Sequence, residues 1–112
     1  MENRKELIRA YKERTLLGGV YAIVNTQNQR RLILWDTDLQ GCKNRFAFLQ
    51  MSGDSPSSKL RKDWETFGKD ACALEILEEL EKKPNQTEQE FREDLATLEE
   101  LHRERYPAEQ LY

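Results

Sequence analysis

The stretch Gly19–Asp36, GVYAIVNTQNQRRLILWD, decides the fold. Its first six residues are rich in Val, Ile and Tyr, and RLILW at 31–35 is short and apolar, so both segments predict β-strands. The polar segment NTQNQR at 25–30 is typical of a turn. Two strands joined by a short polar turn form a hairpin, and this hairpin is the expected start of a sheet.

Helices are predicted on both sides of the hairpin. Residues 3–13 place apolar side chains at helical spacing on a charged background. Residues 41–51 carry Cys42, Phe46 and Leu49 at i, i+4 and i+7, which is one face of a helix.

The segment 59–67 repeats the same helical spacing of apolar residues, and Gly68 follows it where a helix-ending glycine belongs. Ser57 or Ser58 is expected to cap this helix. The polar run Asp36–Asp38 is expected to cap the helix before it.

The last third of the chain predicts one more strand and one more helix. ACALEIL at 71–77 has strand character, and the polar segment 78–90 is predicted to be a loop. Thr87 followed by Glu90 is a capping-box pattern, so a helix is expected to run from there to about residue 105. Its apolar stripe, which ends before Pro107, is Phe91, Leu95, Leu98, His102 and Tyr106.

The predicted order is α-β-β-α-α-β-α. It indicates an α+β fold with a small three-stranded antiparallel sheet flanked by helices. The 112 residues suffice for one domain and are too few for two, so residues 1–112 are expected to form a single domain.

Composition excludes several classes of protein. No apolar run approaches the roughly 18 residues of a membrane helix, and the charged start MENRKELIRAYKER lacks the apolar core of a signal peptide. A cytoplasmic protein that does not enter membranes is therefore expected. Two cysteines 30 residues apart and one histidine exclude a zinc finger of the usual spacing, so Cys42 and Cys72 are expected to be buried and unpaired.

The net charge of −3 conceals an asymmetry. Residues 1–70 carry 13 Lys and Arg against 9 Asp and Glu, whereas residues 71–112 carry 5 against 12. Basic and acidic surfaces that simply face each other would explain this, and charge alone favours that interpretation. A nucleic-acid surface requires the basic residues to cluster in space. The candidates are Arg30, Arg31, Lys43, Arg45, Lys59, Arg61 and Lys62.

Four segments in this order resemble one family of nucleases. They are KEL..AYKE at 5–13, GVY at 19–21, DWETFG at 63–68 and REDL..LEEL at 92–101. Together with the element order they resemble the GIY-YIG nuclease domain, and they look closest to its small bacterial stand-alone members. The resemblance covers residues 17–107 and leaves residues 1–16 as an added N-terminal helix.

The resemblance implies a catalytic site. Tyr21 would position or deprotonate the attacking water, Arg45 would stabilise developing charge, and Glu99 would bind Mg²⁺ or Mn²⁺. The family's second motif, Tyr-Ile-Gly, should fall in the second strand, but its tyrosine and glycine correspond to Leu32 and Leu34. A leucine at the glycine position fills the cleft, so cleavage is expected to be absent or very slow, and an inactive protein would need no cofactor.

Helical geometry bears on the same residues. At 100° per residue, Glu99 lies on the flank of the final apolar stripe and Arg45 lies at the edge of its own helix. We therefore expect both side chains to lie on the same side of the sheet as Tyr21.

Simpler roles remain for each of these residues. Tyr21 would be an ordinary strand aromatic, Arg45 would extend from a helix edge, and Glu99 would pair with Arg103 at i+4. His102 is expected to be a packed, hydrogen-bonded core histidine. A new site in place of the lost motif would use Trp35, Asp36 and Asp38.

Three functional hypotheses follow. The favoured one is a degenerate nuclease-like domain that binds nucleic acid, DNA in the first instance, with little or no cleavage. The second is a divergent metal-dependent DNA endonuclease, and the third is a protein-interaction module that uses the acidic C-terminal half. The residues expected to contact nucleic acid are Arg31, Lys43, Lys59, Arg61 and Lys62.

Overall fold

A computed structural model describes residues 17–112, and the predicted helix at 3–13 lies outside the described residues. Three strands form one antiparallel sheet in the order β2-β1-β3. The strands are β1 Leu17–Asn25, β2 Arg31–Asp36 and β3 Cys72–Glu81. The helices are α1 Leu39–Ser52, α2 Arg61–Phe67 and α3 Glu88–Arg103, with short 3₁₀ turns at Lys69–Ala71 and Ala108–Gln110.

The predicted fold class is confirmed over the described residues. The sheet is antiparallel, helices flank it, and the elements follow the order β-β-α-α-β-α. Among residues 17–112, no helix is long and apolar enough to cross a membrane.

The sheet buries both of its faces because side chains alternate along each strand. One face packs against α1 and α2, and we call it the α1 face; its buried residues are Ile23, Leu32, Phe46, Leu60, Trp64 and Cys72. The other packs against α3, and we call it the α3 face; its buried strand residues Val20, Ala22, Val24 and Ile33 contact Leu98 and Tyr106.

Two helix starts match their sequence patterns. Asp38 caps α1, since its Oδ1 accepts the Gly41 N–H at 3.1 Å. At α3, Thr87 and Glu90 form the reciprocal capping box. Each cap satisfies backbone N–H groups that have no partner inside the helix.

The predicted serine cap of α2 is wrong. The helix begins at Arg61, its cap residue is Leu60, and no side chain caps it. Ser57 Oγ instead accepts the Lys59 N–H at 3.2 Å, within the turn that leads into the helix. The serine completes a local turn, which is the competing use of such a side chain.

The predicted loop at 78–90 begins too early, because β3 continues to Glu81. A bulge interrupts its pairing with β1: Val20 pairs with Glu78, whereas the next residue, Tyr21, pairs with Ile76. One extra residue in a strand reverses the side on which the following side chains lie. Glu78 therefore reaches the α3 face.

The glycine pair at the start of β1 has a packing reason. A Cβ at Gly19 would collide with the Glu78 carbonyl oxygen, and a Cβ at Gly18 would lie 2.9 Å from the Phe91 ring. Only glycine allows β3 and α3 to approach this closely.

The last residues return to the hairpin. The Tyr112 N–H donates to the Arg31 carbonyl oxygen at 3.0 Å, and the Tyr112 hydroxyl donates to Asp63 Oδ2 at 2.6 Å. The same hydroxyl accepts from Asn25 Nδ2 at 3.1 Å. Tyr112 thus ties α2 to the end of β1.

Candidate functional site

A cavity of about 200 Å³ lies on the α1 face between the sheet and α1. Its polar groups are the Tyr21 hydroxyl, the Cys42 thiol and the Arg45 guanidinium. The apolar lining residues are Ile23, Phe46, Leu49, Pro56 and Leu74. Tyr21 and Arg45, two of the three predicted catalytic residues, therefore line the same space.

Tyr21 enters this cavity because it has the strand parity of Ile23, which is buried on the α1 face. Burial and the neighbouring Cys42 thiol raise the pKa of Tyr21 above its ordinary value. The hydroxyl therefore stays protonated further into the alkaline range than that of an ordinary tyrosine, which suits it to donate a hydrogen bond to a ligand oxygen.

Cys42 lines this cavity, whereas its sequence position indicated only a core residue. It is buried on α1, unpaired, and shares the cavity with Tyr21. Burial raises the pKa of its thiol, so the nucleophilic thiolate is disfavoured. The cavity consequently offers two neutral polar groups beside one cation.

Arg45 is paired with a carboxylate at the end of β2. Its Nη2 donates to Asp36 Oδ2, and the Asp38 N–H donates to Asp36 Oδ1 at 2.8 Å. The Arg45 side chain is 61% exposed and that of Asp36 is 22% exposed, so the pair lies where the site meets solvent. The sequence placed Asp36 beside the lost motif but did not predict this pairing.

Leucines occupy the place of the family's second motif. Leu34 is directly opposite Tyr21 in the β1–β2 register, and Leu32 is opposite Ile23. Leu32 is buried in the core of the α1 face, and Leu34 packs against that core. The neighbour of Tyr21 on β2 is therefore apolar.

Glu99 is not among the residues that line the cavity. Its helix packs on the α3 face, so the expectation that this helix shares the side of Tyr21 is wrong. Glu99 Oε2 lies 3.4 Å from Arg103 Nη2, and Arg103 also donates to the Ile33 carbonyl oxygen at 3.3 Å. The structure therefore contains the i+4 pair of Glu99 and Arg103 that the sequence offered as the simpler role of Glu99.

The Glu99 carboxylate already contacts a guanidinium, that of Arg103. Burial raises the pKa of the Glu99 carboxyl, against the opposing effect of Arg103. Within residues 17–112, no three His, Cys, Asp or Glu side chains are grouped so that they could hold a metal. A metal ligand must be deprotonated, so Arg103 would have to release the Glu99 oxygen before Glu99 could hold Mg²⁺ or Mn²⁺, and that ion stays a prediction.

Four of the five predicted nucleic-acid contacts belong to elements on the α1 face. They are all exposed: Lys43 on α1, Lys59 just before α2, and Arg61 and Lys62 in the first turn of α2.

Arg31 lies elsewhere. Its guanidinium carbon is 4.8 Å from the centre of the Tyr106 ring, and its Nη1 is 3.6 Å from Glu75 Oε2. These contacts place Arg31 on the α3 face, so it does not join the other four.

The two faces of the sheet differ in charge because α3 is acidic. The segment 36–67, which includes Asp36 and Asp38, holds five Lys and Arg against five Asp and Glu, whereas α3 holds six Asp and Glu against two Arg. Because α3 packs on the opposite face, its carboxylates do not border the Tyr21–Arg45 cavity.

Comparisons with known proteins found one kind of likeness. No family model matches the chain, and no curated protein matches it. A solved structure of the catalytic domain of the homing endonuclease I-TevI is similar, with 22% sequence identity and a TM-score of 0.49, over 76% of this chain and 88% of that one.

The similar structure is a GIY-YIG enzyme. It belongs to the family that the sequence segments resemble. At this identity and score the likeness assigns no residue role and no activity to the chain.

Proposed function

We propose that this protein is a nuclease-like domain that binds nucleic acid through its α1 face and has little or no cleavage activity. Four exposed basic residues on elements of the α1 face, Lys43, Lys59, Arg61 and Lys62, carry the proposal. The cavity with Tyr21 and Arg45 lies on the same face, and the acidic helix α3 lies on the other. Phosphate backbones bind where lysines and arginines cluster in space.

Weak cleavage follows from three features of the site. A leucine faces Tyr21, the tyrosine of the family's second motif is absent, and Glu99 is bound to Arg103. General acid–base catalysis contributes about 100- to 10,000-fold, and misplaced groups lose more.

Binding of a labelled 20-mer duplex tests the proposal, by fluorescence anisotropy at 50 mM and 200 mM salt. We expect a Kd of about 10⁻⁴–10⁻⁶ M near physiological salt, as for non-specific binding. Each phosphate contact should make the slope of log K against log salt concentration more negative by about 0.9. Single-stranded DNA and RNA of the same length show which nucleic acid is preferred.

Charge reversal supplies the matched control. Lys43→Glu with Arg61→Glu changes two exposed residues on the α1 face and should abolish binding. Lys83→Glu with Arg92→Glu makes the same change in charge away from that face, and it should weaken binding only slightly. Equal losses in both double variants would show that net charge, rather than this surface, governs binding.

A protein-interaction role is the second candidate. α3 presents acidic residues to solvent, and Leu101 among them is 48% exposed. If no nucleic acid binds at either salt concentration, a basic protein partner on α3 becomes the better explanation.

A further inference from the structure

We propose that Asp36 occupies the position on Arg45 that a backbone phosphate would take, and so limits the affinity of the α1 face for nucleic acid. The inference rests on the proposed function. It identifies the protein's own carboxylate as the competitor of the ligand.

The donors around Asp36 are those that bind phosphate. One carboxylate oxygen accepts from the Arg45 guanidinium, and the other accepts from the Asp38 backbone N–H at 2.8 Å. A guanidinium and a backbone N–H at the start of a helix are common partners of phosphate oxygens. A phosphate has the oxygens to replace both bonds.

The structural task of Asp36 is local, because its second oxygen accepts the Asp38 N–H two residues on, a turn bond that asparagine can also make. Asp38, not Asp36, accepts the Gly41 N–H that caps α1. The pair with Arg45 is largely exposed on the arginine side, and exposed ion pairs contribute little to stability. Removing the charge of Asp36 should therefore leave the fold intact.

The location of the pair makes the competition relevant to binding. Arg45 lines the cavity that contains the Tyr21 hydroxyl, and Lys43 is exposed on the same helix. While Asp36 holds Arg45, nucleic acid meets the exposed lysines and arginines but not this guanidinium. Neutralising Asp36 would add a phosphate contact to the surface.

A double-mutant cycle tests this on the full chain with the 20-mer duplex. Asp36→Asn keeps an oxygen for the Asp38 N–H and removes the charge. It should raise the affinity for the duplex several-fold at 50 mM salt. It should also make the slope of log K against log salt concentration more negative by about 0.9. Asp70→Asn, an exposed residue of the 3₁₀ turn at Lys69–Ala71, makes the same change in net charge and should not steepen it.

Arg45→Gln completes the cycle. In the wild-type background it should leave the salt dependence nearly unchanged, because Arg45 is already paired. In the Asp36→Asn background it should cancel the gain. This arm keeps the test decisive even if Asp36→Asn folds less well, since Arg45→Gln alone distinguishes a paired arginine from one that contacts phosphate.

The outcomes separate the two proposals. If wild-type protein binds and Asp36→Asn behaves like Asp70→Asn, the inference is overturned and the proposed function stands. The inference is also overturned if Arg45→Gln alone makes the slope of log K against log salt shallower by about 0.9, the value of one phosphate contact. If neither wild type nor Asp36→Asn binds nucleic acid, the proposed function fails and the inference fails with it.

Discussion

Leu34 is the cross-strand partner of Tyr21, so the hydroxyl that the family resemblance marks as catalytic has an apolar neighbour on β2. The polar groups that share its cavity, the Cys42 thiol and the Arg45 guanidinium, belong to α1. Tyr21 is therefore positioned as a hydrogen-bond donor in a partly apolar cavity, without the second tyrosine of the family's motif.

The first prediction concerns cleavage. Purified protein with Mg²⁺ or Mn²⁺ should not nick supercoiled plasmid above background, because the Glu99 carboxylate is bound to Arg103 and Leu34 faces Tyr21. Gel electrophoresis measures the nicking as the conversion of supercoiled plasmid into relaxed and linear forms. Robust nicking that disappears in Glu99→Ala would instead support the divergent endonuclease.

The second prediction concerns alkaline pH. Burial raises the pKa of Tyr21 and also that of Tyr112 above the ordinary value near 10. Each tyrosine is held protonated in the folded state, so its contribution to stability is complete below about pH 10 and is lost as the pH rises above it. The free energy of unfolding measured with urea should be lower at pH 10.5 than at pH 8. This decrease should be smaller in Tyr21→Phe than in the wild type. An identical loss in the variant would contradict the assignment to Tyr21.

The third prediction concerns the buried histidine. His102 is 5% exposed, and its Nε2 lies 2.6 Å from Glu78 Oε1. Glu78→Ala should lower the free energy of unfolding by about 1–3 kcal/mol, because a buried polar group loses its partner. The adjacent exposed Glu79→Ala should change it by no more than about 0.5 kcal/mol. Similar values for both would mean that the His102 contact contributes nothing.

The fourth prediction concerns the start of α3. Thr87→Ala removes the acceptor of the Glu90 N–H, and caps of this kind contribute about 1 kcal/mol. Thermal unfolding should therefore shift downward. Thr97→Ala, an exposed change inside the same helix, should be neutral or slightly stabilising because alanine has the higher helix propensity. A larger loss at Thr97 than at Thr87 would contradict the capping argument.

Local chemistry made much of the fold predictable. Short stretches of sequence contain the capping residues, the turn residues and the helical or alternating spacing of apolar residues. The hairpin, α1 and α3 could therefore be located from the sequence. His102 could be placed in the core because it lies in the centre of an apolar stripe, and the structure confirms it. Cys42 and Cys72 are buried and unpaired, as expected.

Relations between elements could not be predicted in the same way. The end of β3 could not be predicted because the bulge at Leu77 breaks the alternation just before EELE at 78–81, and these glutamates are typical of a loop. A helical wheel placed Glu99 correctly on the flank of α3, where its side chain is 15% exposed. The wheel holds no information on which face of the sheet receives the helix, and that face decides whether Glu99 meets Tyr21.

The sheet order has a consequence for how the chain folds. Of the three described strands, the central strand β1 is synthesised first, and it pairs with β3 across a long separation: Asn25 with Cys72, 47 residues apart, and Leu17 with Glu81, 64 residues apart. The β1–β2 hairpin can close early because its pairing is local, whereas β3 can join only after the segment with both intervening helices has been synthesised. During synthesis on the ribosome, one edge of β1 therefore stays unpaired until residue 81 has left the exit tunnel, which makes that interval the period of greatest exposure to aggregation.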